Sequence, residues 1–339
     1  MAGFLRSLAA ALVMVAAVGA CGGGEGGAGE AGAEAGGGRL QVVTTVAPIT
    51  SIVASVAGDR ASVRGVVPEG TNSHTFEPRP RVAEVLSGAD VVFLNGLGLE
   101  EPTRKLAEAN LKEGGEIVAL GDRALRPEEH RFDFSFPKEE GRPNPHVWTD
   151  PLLARRYAEL VRDTMTRRDP ANAGAYADNY ARFSALIDEL DGAMRASFAT
   201  IEPARRKLLT YHDAYAYFAE RYGWQVIGAI QVSDFGDPTP KEVAALIEQV
   251  EREQVPAIFG SEVFPSPVLE QIGKEAGVRY VDVLRDDDLP GEPGDPEHSW
   301  LGLMRFDYVT MVKAVGGDAS ALEALDLRAT VPDTAAYPQ

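Results

Sequence analysis

Residues 170–200 read PANAGAYADNYARFSALIDELDGAMRASFAT. After Pro170 the stretch carries no proline and no strand signal, and its apolar side chains fall at Tyr176, Tyr180, Phe183, Ile187, Leu190 and Met194. Spacings of three, four and seven put these residues on one face of a helix about 45 Å long at the standard rise. Gly174 and Gly192 are the places where it would break into a helix-turn-helix, because glycine is a poor helix former. On either side the pattern changes. Leu40–Val46, Ala61–Val67, Ala89–Asn95 and Glu116–Leu120 read as strands, with helices from Pro48 and over Pro80–Ser87, the second closed by Gly88. Downstream, Lys207–Tyr211, Trp224–Ala229, Ala257–Gly260 and Arg279–Leu284 read as strands, with Pro240–Gln254 and Ser266–Ala276 as helices. Strands that alternate with helices build parallel sheet. The expected fold class is therefore α/β, with an N-terminal lobe over 40–169, a stiff linking helix over 170–200 and a C-terminal lobe over 201–339.

The N-terminus carries a different kind of signal. Arg6 precedes an apolar run from Leu8 to Val18, then Gly19, Ala20 and Cys21. Residues 1–20 have the build of a secretory signal peptide, too short to remain as a membrane span. Cys21 is the sole cysteine, so an intramolecular disulfide is impossible. Val18-Gly19-Ala20-Cys21 resembles a bacterial lipobox, in which the cysteine becomes an acylated N-terminus (palmitate among its acyl groups). The segment 21–39 that follows is nearly all Gly, Ala and Glu, a composition that cannot form a core and acts as a flexible tether. The expected location is extracytoplasmic, lipid-anchored to the cell membrane. A formal net charge of -18 argues against nucleic acid or an anionic lipid surface as partner, and suits a cation.

Five histidines occur. His74 lies in Asn72-Ser73-His74-Thr75-Phe76-Glu77-Pro78, a turn-rich loop after the second strand, and His146 in Asn144-Pro145-His146-Val147-Trp148, a loop before a helix. His212 directly follows the apolar strand Leu208–Tyr211. All three occupy the kind of position at which open α/β sheets gather ligands. Imidazole nitrogen suits zinc, copper, iron or nickel, and three nitrogens need a fourth partner for a closed tetrahedral shell, most simply a carboxylate. The last strand runs into Arg285-Asp286-Asp287-Asp288. Asp286, the first acid beyond it, is the expected fourth ligand, with Asp287, Asp288, Glu262 or water as alternatives, because a one-residue slip changes which carboxylate points inward. His130 and His298 read as surface residues, the latter in the Gly-, Pro- and acid-rich turn Pro290–Ser299.

His74-Thr75-Phe76-Glu77-Pro78, Asn144-Pro145-His146-Val147-Trp148 and His212-Asp213-Ala214-Tyr215, with Phe218 and Tyr222-Gly223, resemble the signature blocks of the metal-binding solute-binding proteins of ABC importers, the zinc and manganese group of ZnuA and TroA type. The resemblance runs from Leu40 to about Gly317. It implies two lobes of (βα)4 type joined by one rigid interlobe helix, a metal held between them, an ABC permease in the membrane as partner, a monomeric chain and no catalytic activity. Histidine at the third position, His212, is the mark of zinc binders where manganese binders carry glutamate, so zinc is expected as the transported ligand, with manganese possible. The stretch Arg126–Asn144 departs from the long histidine-rich loop of many zinc-binding relatives, since it is acidic and contains only His130. The alternative functions are a manganese- or iron-binding importer component and a surface adhesin or metal-buffering lipoprotein. A zinc hydrolase is disfavoured because no His-Glu-x-x-His pair is present.

Overall fold

A computed structural model describes residues 38–231, 238–261, 266–327 and 332–338. The signal peptide, Cys21, nearly all of the tether and Glu262 lie outside the described residues. In chain order the main elements are β1 (Leu40–Thr44), α1 (Ala47–Ala57), β2 (Ala61–Gly65), α2 (Pro80–Gly88), β3 (Val91–Leu94), α3 (Glu101–Asn110), β4 (Glu116–Ala119), α4 (Leu120–Ala124), α5 (Pro151–Arg168) and α6 (Ala173–Ala199). They continue with β5 (Lys207–Thr210), α7 (Ala216–Tyr222), β6 (Gln225–Ala229), α8 (Pro240–Glu253), β7 (Ala257–Ser261), α9 (Pro267–Ala276), β8 (Arg279–Leu284), α10 (Trp300–Ala314) and α11 (Ser320–Glu323). The strands form two four-stranded sheets of order β2-β1-β3-β4 and β6-β5-β7-β8, parallel throughout. The expected α/β class with two parallel lobes is what the structure has. Both lobes share one topology, and in each the order reverses beside the first strand, which opens a crevice at the carboxyl ends.

The linking helix is continuous. It buries Tyr176, Phe183, Leu186, Ile187, Leu190, Met194 and Phe198 along one face, and neither Gly174 nor Gly192 interrupts it. It packs on α1 and α5 of the first lobe and on α10 and α11 of the second, so one hydrophobic core runs through both lobes. Phe183 meets Trp300 with ring centroids 5.4 Å apart, and Phe198 packs edge-on against Phe218, Tyr222, Trp224 and Tyr308. Tyr180 lies at the margin of this face, its ring covered by the Arg162 guanidinium at 4.3 Å. The sequence implies α5 only as the helix that follows the His146 loop, without bounds, and gives no signal for α10. α5 begins at Pro151 with Asp150 as N-cap, its carboxylate accepting from the amides of Leu152 and Leu153. α10 buries residues all round and has no clean amphipathic stripe, which is why its period is faint.

The chain end does not stay with the second lobe. Ala336 bridges Arg64 in parallel fashion, its amide donating to the Val63 carbonyl while its own carbonyl accepts from Gly65. A short tail thus covers the open edge of β2, and it brings Asp333 and Tyr337 over the start of α10. Among the described residues no helix is long and apolar enough to cross a membrane.

Candidate metal centre

Each histidine of interest is fixed by a different device. His74 stands in the loop after β2, where Gly70 takes a φ of 72°, a left-handed turn that suits glycine. This loop is tied to the second lobe: the Gly70 amide donates to Asp288 Oδ2 at 2.7 Å and Ser73 Oγ to Asp287 Oδ2 at 2.5 Å. Asn72 Oδ1 accepts the His74 amide at 2.9 Å. His146 is held at the crevice of the first sheet. Asn95, just beyond β3, donates through Nδ2 to the Pro145 carbonyl at 2.9 Å, and Thr149 Oγ1 donates to the His146 carbonyl at 2.8 Å. His212 lies two residues beyond the end of β5 and is buried, as is Asp286 after β8.

These four residues meet between the sheets. His146 Nε2 lies 3.2 Å from Nε2 of His74 and 3.2 Å from Nε2 of His212, and His212 Nε2 lies 3.0 Å from Asp286 Oδ2. Ligand atoms about 2.0–2.1 Å from one tetrahedral ion are themselves about 3.3 Å apart, close to these three separations. Asp286 Oδ1 is occupied by Ser261 Oγ at 3.2 Å, which leaves Oδ2 to face the imidazoles. Asp287 also comes within ligand distance of His146 and Asp286, forming a second possible donor group. Asp288 is turned away to the Gly70 amide. Phe136 packs against both His74 and His146 at 5.5 and 5.7 Å, giving the partly exposed side of the site an apolar cover.

The tautomer of His146 follows from its neighbour. Asn144 Nδ2 donates at 2.6 Å both to Asp133 Oδ2 and to the Asp213 carbonyl, two acceptors, so the amide can face only one way. Asn144 Oδ1 then accepts from His146 Nδ1 at 2.8 Å, which places the proton on Nδ1 and the lone pair of Nε2 in the site. Replacing Asn144 with alanine is expected to weaken metal binding by about 10- to 100-fold while His146 itself stays in place. A chelator competition titration measures this, and an affinity within threefold of the parent would contradict the orienting role.

Protonation states separate the donors. Burial, with the charge of His212 next, pushes His74 and His146 well below the usual imidazole value, so both are neutral and ready to ligate. For His212 burial acts in the same direction, but Asp286 outweighs it and lifts the ring above its usual pKa. Asp286 answers in kind: burial alone would raise it, and the His212 charge brings it down. Burial and the neighbouring carboxylates push Asp287 and Asp288 up to about 7. Three adjacent buried aspartates concentrate negative charge here, a repulsion that a divalent cation would relieve.

Contrary to the surface position expected from its turn, His298 is 2% exposed, because the returning C-terminal tail covers it. His130 is half-buried and takes no part in the histidine cluster. Sequence reading missed Asn144 and Asp133 as orienting residues, although Asn144 stands two positions before His146 in the quoted block. It also missed Ser73 as the anchor of the His74 loop.

Comparison with known proteins gives concordant matches. Residues 42–314 match the protein family described as zinc-uptake complex component A, periplasmic. The chain is 28% identical over 278 residues to the iron-binding protein YfeA of Yersinia pestis, covering 82% of this chain and 87% of that protein. It is also 28% identical over 279 residues to the manganese-binding lipoprotein MntA of Halalkalibacterium halodurans, covering 82% and 89%. Among solved structures, the periplasmic zinc binding protein TroA of Treponema pallidum superposes with a TM-score of 0.74 at 25% identity, covering 82% of this chain and 99% of that one. A manganese-bound periplasmic metal binding protein of Candidatus Liberibacter asiaticus gives 0.72 at 25% identity, covering 82% and 100%. These relatives are binding proteins, not enzymes.

Proposed function

The chain belongs to the family of zinc-uptake complex component A proteins, and from that premise we propose that it is an extracytoplasmic solute-binding lipoprotein that captures zinc and delivers it to an ABC-type importer. In this reading His74 and His146 come from a first lobe over 40–169, His212 and Asp286 from a second over 201–339, and the helix over 170–200 links them. Cys21 carries the lipid anchor, the chain works as a monomer, and a membrane permease receives the ion. The observation that carries the proposal is the convergence of three imidazole Nε2 atoms at 3.2 Å spacings, with a carboxylate oxygen 3.0 Å from the third. A set of three nitrogens and one oxygen favours zinc over manganese, which prefers carboxylate-rich shells of higher coordination number.

One observation favours a second reading. Asp287 lies close enough to His146 and Asp286 to add an oxygen donor, which would enlarge the shell for manganese or iron. Metal analysis of the purified protein, followed by competition between zinc and manganese, separates the two. Zinc is expected to stay bound against a large manganese excess; displacement of zinc by manganese would transfer the assignment to the manganese reading.

The raised pKa of His212 sets the direction of a pH effect. Below that pKa the metal-free protein holds a proton on His212, and the ion must displace it. Zinc affinity is therefore expected to fall as pH is lowered through the His212 pKa and to level off above it. Calorimetry in buffers of different ionisation enthalpy reads the released proton directly. Heats independent of buffer, with an affinity flat between about pH 6 and 8, would contradict protonation of His212 in the metal-free state.

A further inference from the structure

His298 presents chemistry that the interlobe centre does not use. It precedes α10, its side chain is 1% exposed, and neither ring nitrogen makes a hydrogen bond. Buried imidazoles nearly always satisfy at least one nitrogen, so an unsatisfied pair asks for a missing partner. The ring lines a cavity of about 280 Å³ together with Ser51, Ser55, Asp333 and Tyr337. Tyr337 stands edge-on to it at 4.7 Å and donates its hydroxyl to Asp333 Oδ2 at 2.5 Å. Asp333 Oδ1 accepts from the Ala335 amide at 2.8 Å.

The carboxylate nearest His298 belongs to Glu69, whose Oε1 lies 3.6 Å from His298 Nε2. That distance is too long for a hydrogen bond. It is close to the roughly 3.4 Å that separates two ligand atoms bound to one tetrahedral ion at about 2.1 Å. Asp295 and Asp333 line the same cavity as His298, which gives it two carboxylates besides the neighbouring Glu69. A water takes roughly 30 Å³ of liquid volume, and the cavity has room for several to complete a shell. We propose that His298 Nε2 and Glu69 Oε1 form a second binding site for a divalent transition-metal cation, separate from the interlobe centre, with waters in the remaining positions and Asp333 across the cavity.

Two protein ligands make this site weaker than the four-ligand centre. Its placement gives it a consequence there. Glu69 lies on the loop that carries His74, next to Gly70, whose amide is held by Asp288. A cation shared by Glu69 and His298 ties that loop to the start of α10.

Titration of the full chain with cobalt(II), followed by its visible absorption, tests the proposal. The parent protein is expected to bind two equivalents, one tight and one weaker. A variant with His74, His146 and His212 all changed to alanine is expected to keep the weaker equivalent, so that loss of the interlobe assignment and loss of this one are told apart. His298→Ala is expected to lose the weaker equivalent and keep the tight one. Glu69→Gln should weaken the second site at least tenfold; because the Glu69 side chain is 16% exposed and removal of its charge leaves the shape unchanged, it remains informative if the His298 variant fails to fold. A parent that binds a single equivalent, or Glu69→Gln and His298→Ala proteins that both still bind two with unchanged affinity, would overturn the proposal.

Discussion

His146→Ala is expected to weaken zinc binding by on the order of 100-fold or more, the largest loss among the single ligand replacements. Its Nε2 is the hub of the cluster, 3.2 Å from both other imidazole nitrogens, and its side chain is fully buried. Four-ligand zinc sites bind with about 10–16 kcal/mol, so one ligand accounts for roughly 3 kcal/mol, a little over a hundredfold in affinity. Water can replace a lost donor at the partly exposed His74 more readily than at the buried His146. The fold should survive, because the core of the first lobe and α6 do not depend on this ring. Competition against a chromophoric chelator gives the affinity, and the metal-free melting temperature checks the fold. A folded variant that binds zinc within threefold of the parent would remove His146 from the ligand set.

Zinc loading is expected to raise the melting temperature by about 10 °C. A ligand at a thousand times its dissociation constant stabilises the state that binds it by about 4 kcal/mol, and a domain of this size moves by roughly 2–4 °C per kcal/mol. The gain has an identifiable electrostatic source. Without metal, Asp286, Asp287 and Asp288 are buried side by side, the last two pushed up to about 7 by burial and by their neighbours. A divalent charge among them relieves that repulsion, and the unfolded chain offers no comparable arrangement. Scanning calorimetry with and without zinc measures the shift. The variant lacking His74, His146 and His212 should lose most of it; a full shift retained in that variant would place the stabilising metal elsewhere in the molecule.

The connections across the centre bear on how the ion leaves. Trp148 Nε1 donates to the Asp286 carbonyl at 3.0 Å, Tyr217 to the Asn144 carbonyl at 2.9 Å and Tyr308 to the Thr149 carbonyl at 2.5 Å. With α6 packed along both lobes, such bonds oppose wide hinge opening. Displacement of the loop over 68–74 is the smaller change, since it breaks the contacts of Gly70 and Ser73 with Asp288 and Asp287 and one bond from the Glu69 amide to the Pro338 carbonyl.

Some of this was legible in the linear order of residues because it depends on local periodicity. The stripe from Tyr176 to Met194 specified a long helix, and alternating apolar runs specified two sets of parallel strands, since each signal is contained within one element. His74, His146 and His212 could be singled out because each stands in a loop that follows a strand signal or opens a helix. Their meeting could not be read, as it depends on how two sheets sit against one helix. Only the tertiary structure turns Asp286 toward His212 while Asp287 and Asp288 fasten the His74 loop, because a carboxylate's direction after β8 is set by strand register and by a loop more than two hundred residues earlier. The same holds for His298. Its own turn is rich in Gly, Pro and acids and looks exposed, yet a tail forty residues downstream returns to the edge of the first sheet and buries it, a contact that no local pattern encodes.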